Sequence, residues 1–384
     1  MTSESWLRHG LRRLQPYLTV FDGTLLCILG LLAVLSLVTV YSAGYDFPGR
    51  FEGQVRNFVA AFFMMWFMAN VAPQTLMRFA VPVYVIGVVL LLAVALFGTV
   101  KNNARRWLDL GFVFQPSEIM KIGMPLMLAW YFHKHATLVR VRDFIAAAVL
   151  LAVPVGLIAK EPDLGTAILV LGAGLYVIYF AGLSWKLIAP VLGAAVLGAA
   201  ALIYFGDRIC APEVNWPGLH DYQKQRVCTM LDPTTDPLGR GFHAIQAAIA
   251  VGSGGLTGKG YLKGTQAHLE FIPERTTDFI LAVYAEEFGL VGNIVLIILY
   301  IALLSRGLVI AGSAPSYFSR LLGGSITLVF FTYAIVNMGM VCGLLPVVGV
   351  PLPFMSYGGT ALGVLGVGAG ILMSIQRHRK LVQT

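Results

Sequence analysis

Long apolar runs recur along the chain and are separated by short polar segments. A helix needs about 20 apolar residues to cross a bilayer core of about 30 Å. The runs do not alternate apolar and polar residues as half-buried strands would. They predict an all-α polytopic membrane protein, a single transmembrane domain over 1–384. Its ten predicted spans are 22–43, 57–72, 79–99, 117–133, 143–160, 164–181, 186–206, 279–303, 321–343 and 357–376, and an outer loop is predicted over 207–277.

The composition supports this class. Apolar residues make up 58% of the 384 residues and charged residues only 12%, whereas soluble domains carry about 25% charged residues. The first run follows Arg8, Arg12 and Arg13, as a signal peptide would. The run over 22–43 exceeds the 7–15 residues, roughly, of a cleaved signal core, so we interpret it as a retained helix.

The net charge of +8 is spread over short loops rather than gathered on one soluble face. This distribution favours membrane orientation over nucleic-acid binding. With the N-terminus inside, the inner segments carry more Lys and Arg than the short outer segments. We therefore expect a multi-pass protein with both termini in the cytoplasm.

The long outer loop contains three kinds of sequence. Turn residues dominate 231–239, an apolar stretch at 244–251 predicts a short helix on the membrane surface, and glycines crowd 252–264. The glycine run either forms flexible turns or presents backbone N–H groups to a phosphate. Since structured loops often carry function, we expect the site to lie here.

The four cysteines fall into two pairs. Cys27 and Cys342 lie in apolar runs and are expected to be inert packing residues. Cys210 and Cys228 both lie in the outer loop, where an oxidising compartment would allow a disulfide; two free thiols are the alternative. The sequence has no metal-ligand spacing of Cys and His, no P-loop and no Ser/His/Asp arrangement.

Ionisable groups inside a membrane are costly and therefore mark candidate sites. In this chain they occupy the outer halves of the predicted helices, while the inner halves are almost purely apolar. A transporter usually places its polar site near the midplane, so a site that opens only outward favours an enzyme or receptor. The groups are Glu118, Lys121, Lys160, Glu161, Asp163, Asp278, Glu286 and Glu287, and one of the last two is expected to share a cavity with Asp278.

Seven segments together resemble the SEDS family (shape, elongation, division and sporulation), in the family's order from about residue 100 to the end. Those from 221 to 278 resemble the elongation-type, RodA-like branch more than the division-type, FtsW-like branch. The segments are 104–111 (ARRWLDLG), 115–121 (QPSEIMK), 161–166 (EPDLGT), 221–226 (DYQKQR), 252–260 (GSGGLTGKG), 273–279 (PERTTDF) and 351–359 (PLPFMSYGG).

The resemblance implies a ten-helix enzyme that polymerises lipid II into glycan strands outside the bacterial cytoplasmic membrane. It also implies a class B penicillin-binding protein as partner, within a complex of elongation membrane proteins. Two positions depart from the family pattern. Thr277 stands where many members have His, and the stretch 110–115 is one residue short and lacks a basic residue.

Glycosyl transfer needs a base near the attacking hydroxyl and positive charge near the departing pyrophosphate. By the resemblance, Asp278 is the general base; the alternative is an ordinary acid in the first turn of a helix. Arg226 and Lys121 are the leading pyrophosphate ligands. The further candidates for substrate or pyrophosphate binding are Arg56, Arg105, Arg106, Glu118, Gln115 and Asp163.

These candidates have structural alternatives. Arg105 and Arg106 also suit snorkelling to lipid headgroups. Gln115, Glu118 and Asp163 also suit helix starts. No metal site is predicted, although a divalent cation is an open expectation for neutralising the pyrophosphate. The competing functions are a lipid II flippase, which the outward-only charges disfavour, and a non-catalytic scaffold for a penicillin-binding protein.

Overall fold

A computed structural model describes residues 20–101, 104–109, 113–136, 140–211, 214, 216, 221–235, 241–269 and 274–379. Long helices dominate these residues. They are α1 (Gly23–Ala43), α2 (Arg50–Asn70), α3 (Pro73–Phe97), α4 (Ser117–Lys134), α5 (Val141–Lys160), α6 (Leu164–Phe180), α7 (Trp185–Tyr204), α12 (Ile280–Gly312), α13 (Tyr317–Val341) and α14 (Gly359–Arg379).

Each predicted span overlaps one of these helices, and the largest differences are at α2, which begins at Arg50, and α12, which continues to Gly312. Seven are long and apolar enough to cross a membrane: α1, α3, α5, α7, α12, α13 and α14. Helices α2, α4 and α6 fall outside that set. The chain is therefore a largely helical, multi-pass membrane protein.

A small antiparallel sheet lies between α3 and α4. Its strands are β1 (Thr99–Lys101), β2 (Ala104–Asp109) and β3 (Val113–Phe114), in the order β1-β2-β3. This sheet corrects the purely helical prediction. Its strands are too short for a clear alternating pattern, and backbone pairing between neighbouring segments forms it, as where Val100 faces Arg105.

Helices α2 and α14 pack closely at two glycines of α14. A Cβ added to Gly366 would lie 2.6 Å from the carbonyl oxygen of Ala61, and one added to Gly370 would lie 2.4 Å from that of Met65. Small residues let membrane helices pack backbone to backbone, where apolar lipid gives no hydrophobic drive for association. Larger side chains at these positions would separate the two helices.

Four short helices and a disulfide order the described part of the loop over 207–277. The helices are α8 (Gly206–Ile209), α9 (Asp221–Leu231), α10 (Phe242–Ser253) and α11 (Thr265–His268). Cys210 is bonded to Cys228, which ties α9 to the end of α7 through α8. Helix α10 contains the apolar stretch predicted as a helix, and it buries Ala247 and Ala250 while packing beside α12.

Helix α12 breaks at Gly289, whose φ of 61° lies in the left-handed region that favours glycine. The glycine-rich loop covers this break with backbone hydrogen bonds. The N–H of Leu290 donates to the Gly255 carbonyl at 2.9 Å, and the N–H of Lys259 donates to the Glu286 carbonyl at 3.0 Å. The N–H of Gly260 likewise donates to Glu287. These N–H groups support the helix break and are not presented to a phosphate.

Candidate active site

Asp278 lies on a segment just before α12 whose backbone is firmly held. Three consecutive carbonyls, at 276–278, each accept a hydrogen bond. The donors are the backbone N–H of Tyr357 at 2.8 Å, the hydroxyl of Ser356 at 2.6 Å and the side-chain amide of Asn337 at 2.8 Å. Because a catalytic group must keep a fixed position, these contacts suit a preorganised carboxylate.

Arg275 anchors the same segment to the end of α1. Its side chain is buried, donates to the carbonyl of Ala43 at 2.7 Å and pairs with Asp46. The guanidinium also lies 5.0 Å from the centre of the Phe47 ring, within cation–π range. A buried arginine with this many partners fixes the backbone beside Asp278.

A polar cavity of about 180 Å³ lies between α4, α6 and the segment before α14. Five of the candidate residues meet here. Lys121 Nζ lies 2.6 Å from Glu118 Oε1, and Gln115 Nε2 donates to Asp163 Oδ2 at 2.7 Å. Lys121 and Glu118 therefore form a buried ion pair in the cavity wall, and Arg106 is the fifth member of the group.

Glu161 is buried beside this cavity, with 2% of its surface exposed. Arg106 donates to the carbonyl oxygens of Glu161 and Pro162, not to the carboxylate. In the part of the chain that the structure describes, neither Glu161 carboxyl oxygen has a hydrogen-bond partner. Burial, and then the negative charge of Asp163, raise the pKa of Glu161 to about 8, against the opposing charge of Arg106. Glu161 is therefore mainly neutral at pH 7.

A much larger cavity, about 1060 Å³, lies between α9, α10 and the end of α13. We call it the α9–α10 cavity. Most of its lining is apolar, including Met230, Ile245 and Met340, and it also contains Arg226 and His243. The imidazole of His243 stacks on Phe279, the residue after Asp278, with ring centres 6.0 Å apart.

Asp278 is close to both cavities through its neighbours. A Cβ on Gly349, which lines the polar cavity, would lie 3.4 Å from Asp278 Oδ2. On the other side, Phe279 contacts the α9–α10 cavity through His243. Burial, and then the charge of Glu274, raise the pKa of Asp278 to about 6, while Arg226 lowers it. The carboxylate is therefore mostly ionised at neutral pH, and its pKa is close enough to 7 for it to accept a proton.

The remaining predicted residues are placed differently. Arg56 is exposed on α2 and lines neither of these two cavities. Arg105 lies in β2, and its side chain is outside the described residues. Glu286 pairs with Lys259 at 2.6 Å and Glu287 bonds to Ser42, so neither shares a cavity with Asp278 as had been expected.

The sequence did not reveal the supporting residues around Asp278. Asn337 lies inside α13, and its amide donates at 2.8 Å to the carbonyls of both Asp278 and Val350. Ser356 and Arg275 gave no signal beyond their place in the family segments. His243 gave none, because nothing in its neighbourhood along the chain indicates that it lies beside Asp278.

The fold agrees with that of known proteins that this chain matches. Residues 17–381 match the FtsW/RodA/SpoVE family, described as cell cycle proteins. The chain belongs to this family. It is 48% identical over 362 residues to the peptidoglycan glycosyltransferase MrdB of Escherichia coli K12, a match that covers 94% of this chain and 95% of that protein.

Two solved structures are also similar. One is a chain from a study entitled "Structural coordination of polymerization and crosslinking by a peptidoglycan synthase complex", with a TM-score of 0.76 and 30% identity, covering 94% of this chain and 98% of that one. The other is the rod shape determining protein RodA of Thermus thermophilus, with a TM-score of 0.68 and 27% identity, covering 94% and 97%. These similarities favour the RodA-like branch of the family over the FtsW-like branch.

Proposed function

We propose that the protein is a peptidoglycan glycosyltransferase that polymerises lipid II into glycan strands during cell elongation. The observation that carries the proposal is that Asp278 is close both to a polar cavity and to a large apolar cavity that holds Arg226. A sugar with its hydroxyls fits the first environment, and a lipid-linked pyrophosphate fits the second. The relative named as a peptidoglycan glycosyltransferase supports the same reaction.

In the proposed reaction, a sugar hydroxyl of one lipid II attacks the anomeric carbon of another. Asp278 takes the hydroxyl proton as the new C–O bond forms. The bond from the anomeric carbon to the pyrophosphate oxygen breaks, and the lipid pyrophosphate leaves with the electron pair. The positive charge of Arg226 stabilises that developing negative charge. The raised pKa of Asp278 suits a group that must accept a proton near neutral pH.

The membrane arrangement belongs to this proposal. The ten long helices would span the bacterial cytoplasmic membrane, with both termini in the cytoplasm and the loop over 207–277 outside. The basic residues of the inner segments favour that orientation. It would place both cavities at the outer surface, where lipid II presents its sugars while its tail stays in the bilayer.

We also propose a class B penicillin-binding protein as partner. One similar structure comes from a peptidoglycan synthase complex that coordinates polymerisation and crosslinking. In this pairing the partner would supply the crosslinking activity. Co-purification with an elongation transpeptidase, and polymerisation compared with and without it, test this pairing.

A divalent cation is a further proposal. Among the described residues, no three His, Cys, Asp or Glu side chains form a group able to hold one. Mg²⁺ commonly binds one or two carboxylates together with substrate phosphates. A cation would therefore enter with the pyrophosphate, near the single carboxylate of Asp278, and would neutralise phosphate charge. Chelation of divalent cations, followed by re-addition, measures the dependence.

The decisive experiment is a polymerisation assay with purified protein, its partner and lipid II. We expect glycan strands from the wild type and from Glu52→Gln, which alters an exposed acid at the start of α2. We expect none from Asp278→Asn, which keeps the side-chain shape but cannot act as a base. Normal polymerisation by Asp278→Asn would reject the proposed role of this residue.

The two competing functions predict different outcomes in the same preparation. A flippase would move lipid II across liposomes without making strands. A scaffold would bind its partner and do neither. The absence of wild-type polymerisation under conditions in which the Escherichia coli relative is active would favour one of these functions.

A further inference from the structure

The α9–α10 cavity has a chemical character that the polar cavity lacks. Its walls are mainly apolar, from Met230, Ile245, Ile249 and Met340, yet Arg226 stands in the same lining. Its volume of about 1060 Å³ lies at the upper end of the range for small-molecule sites, about 300–1,000 Å³. An amphiphile with an anionic head and a hydrocarbon chain fits this combination.

We propose that the α9–α10 cavity holds the isoprenyl diphosphate of the donor lipid, and that His243 binds the diphosphate together with Arg226. The proposal rests on the proposed function and specifies which side of Asp278 each substrate occupies. The donor's leaving group lies on the α9–α10 side. The acceptor sugar lies on the side of the polar cavity.

The polar cavity does not suit the diphosphate. At about 180 Å³ it is too small for an isoprenoid chain. Its positive groups are already engaged, since Lys121 pairs with Glu118 at 2.6 Å and Arg106 bonds to two backbone carbonyls. Asp163 adds a further negative charge to the lining. This cavity can offer hydrogen bonds to sugar hydroxyls and little attraction to an anion.

His243, in the cavity lining, has a ring nitrogen whose hydrogen bonding is unsatisfied. In the described residues no hydrogen-bond partner reaches its Nδ1, although that atom is buried. A buried polar atom without a partner is costly, and a bound acceptor would remove the cost. A phosphate oxygen is such an acceptor for an imidazole N–H.

The position of His243 also fits a leaving group. Its ring lies flat against Phe279, 6.0 Å between centres and 15° between planes, and Phe279 follows Asp278 in the chain. The diphosphate would therefore sit within reach of the anomeric carbon while the chain extends along α10. Arg226 lines the same cavity as His243 and lies close enough to lower the pKa of Asp278.

The test measures binding of geranylgeranyl diphosphate and of geranylgeraniol, its alcohol, to the purified full-length protein in lipid nanodiscs. For His243→Ala we expect affinity for the diphosphate to fall about tenfold, the loss of one hydrogen bond to a charged group. Affinity for the alcohol should hardly change. His243→Asn retains an N–H donor and should recover part of the loss. The control, His135→Gln, alters an exposed histidine at the end of α4 and should bind both ligands normally.

A second variant tests the apolar wall. Ala248 is exposed in the cavity lining, so Ala248→Trp should fill the cavity without disturbing the core and should weaken binding of both ligands. Ala195→Trp makes the same change on the exposed surface of α7 and is the matched control. Unchanged diphosphate binding in both His243→Ala and Ala248→Trp overturns the proposal, as does equal weakening of both ligands by His243→Ala.

Asp278→Asn separates this proposal from the proposed function. It should bind geranylgeranyl diphosphate as the wild type does, although it makes no glycan. If the wild type polymerises lipid II while His243→Ala keeps full diphosphate affinity, the donor assignment fails and the glycosyltransferase function stands. If the wild type never polymerises yet the diphosphate binds in the predicted pattern, the proposed function fails and the binding site stands.

Discussion

Glu161→Gln should be more stable than the wild type, and the difference in the free energy of unfolding should grow as the pH rises. The native pKa of Glu161 is about 8, against an ordinary value of 4.5. Above pH 4.5 the carboxyl of Glu161 ionises in the unfolded chain but stays protonated in the folded chain. The wild type's free energy of unfolding is therefore highest below pH 4.5 and falls progressively up to about pH 8. The raised pKa of Glu161 lowers the free energy of unfolding by under about 1 kcal/mol at pH 5 and by about 3 kcal/mol at pH 7. Glutamine keeps the shape and never ionises.

Thermal unfolding in detergent, recorded from pH 5 to pH 8, measures this difference. The midpoints of the wild type and Glu161→Gln should nearly coincide at pH 5 and diverge towards pH 8, with the variant more stable. Glu52→Gln, at an exposed position, should show no such divergence. If Glu161→Gln melts at a lower temperature than the wild type at pH 8, the carboxylate is ionised in the fold and the reasoning is wrong.

Three further predictions concern the site. Polymerisation should decline as pH falls through about 6, because protonation removes Asp278 as a base; Glu274→Gln should move that decline to lower pH, and an upward shift would contradict the assignment. Glu118→Gln should cost about 3–5 kcal/mol by leaving Lys121 buried without its ion-pair partner, and adding Lys121→Met should restore thermal stability in part. Asn337→Ala removes the donor to the Asp278 carbonyl and should lower kcat more than it raises KM; an effect on KM alone would argue against a positioning role.

Much of the fold was predictable because membrane helices are encoded locally. Apolar length alone predicted helices close to Gly23–Ala43 and Val141–Lys160. The outer loop was predicted to contain a helix at 244–251, where the structure has Phe242–Ser253. The sheet between Thr99 and Phe114 was missed, because pairing of short strands leaves almost no periodic signal.

The candidate site residues came from two kinds of sequence signal. Asp278, Arg226 and Lys121 were chosen from the family segments, and charged residues near the outer ends of apolar runs drew attention to the same regions. The sequence could not assign them to cavities. Lys121 proved to be a buried partner of Glu118, at 2.6 Å, whereas Arg226 lines a separate cavity.

The sequence by itself determined the membrane class, the long apolar helices and the position of Asp278 just before α12, since each depends on the order of residues along the chain. Only the tertiary structure decided what surrounds that residue. From three distant segments, Asn337 donates to the carbonyl of Asp278, Ser356 donates to that of Thr277, and His243 stacks on Phe279. The environment that raises the pKa of Asp278 likewise comes from burial by several elements, which no local pattern encodes.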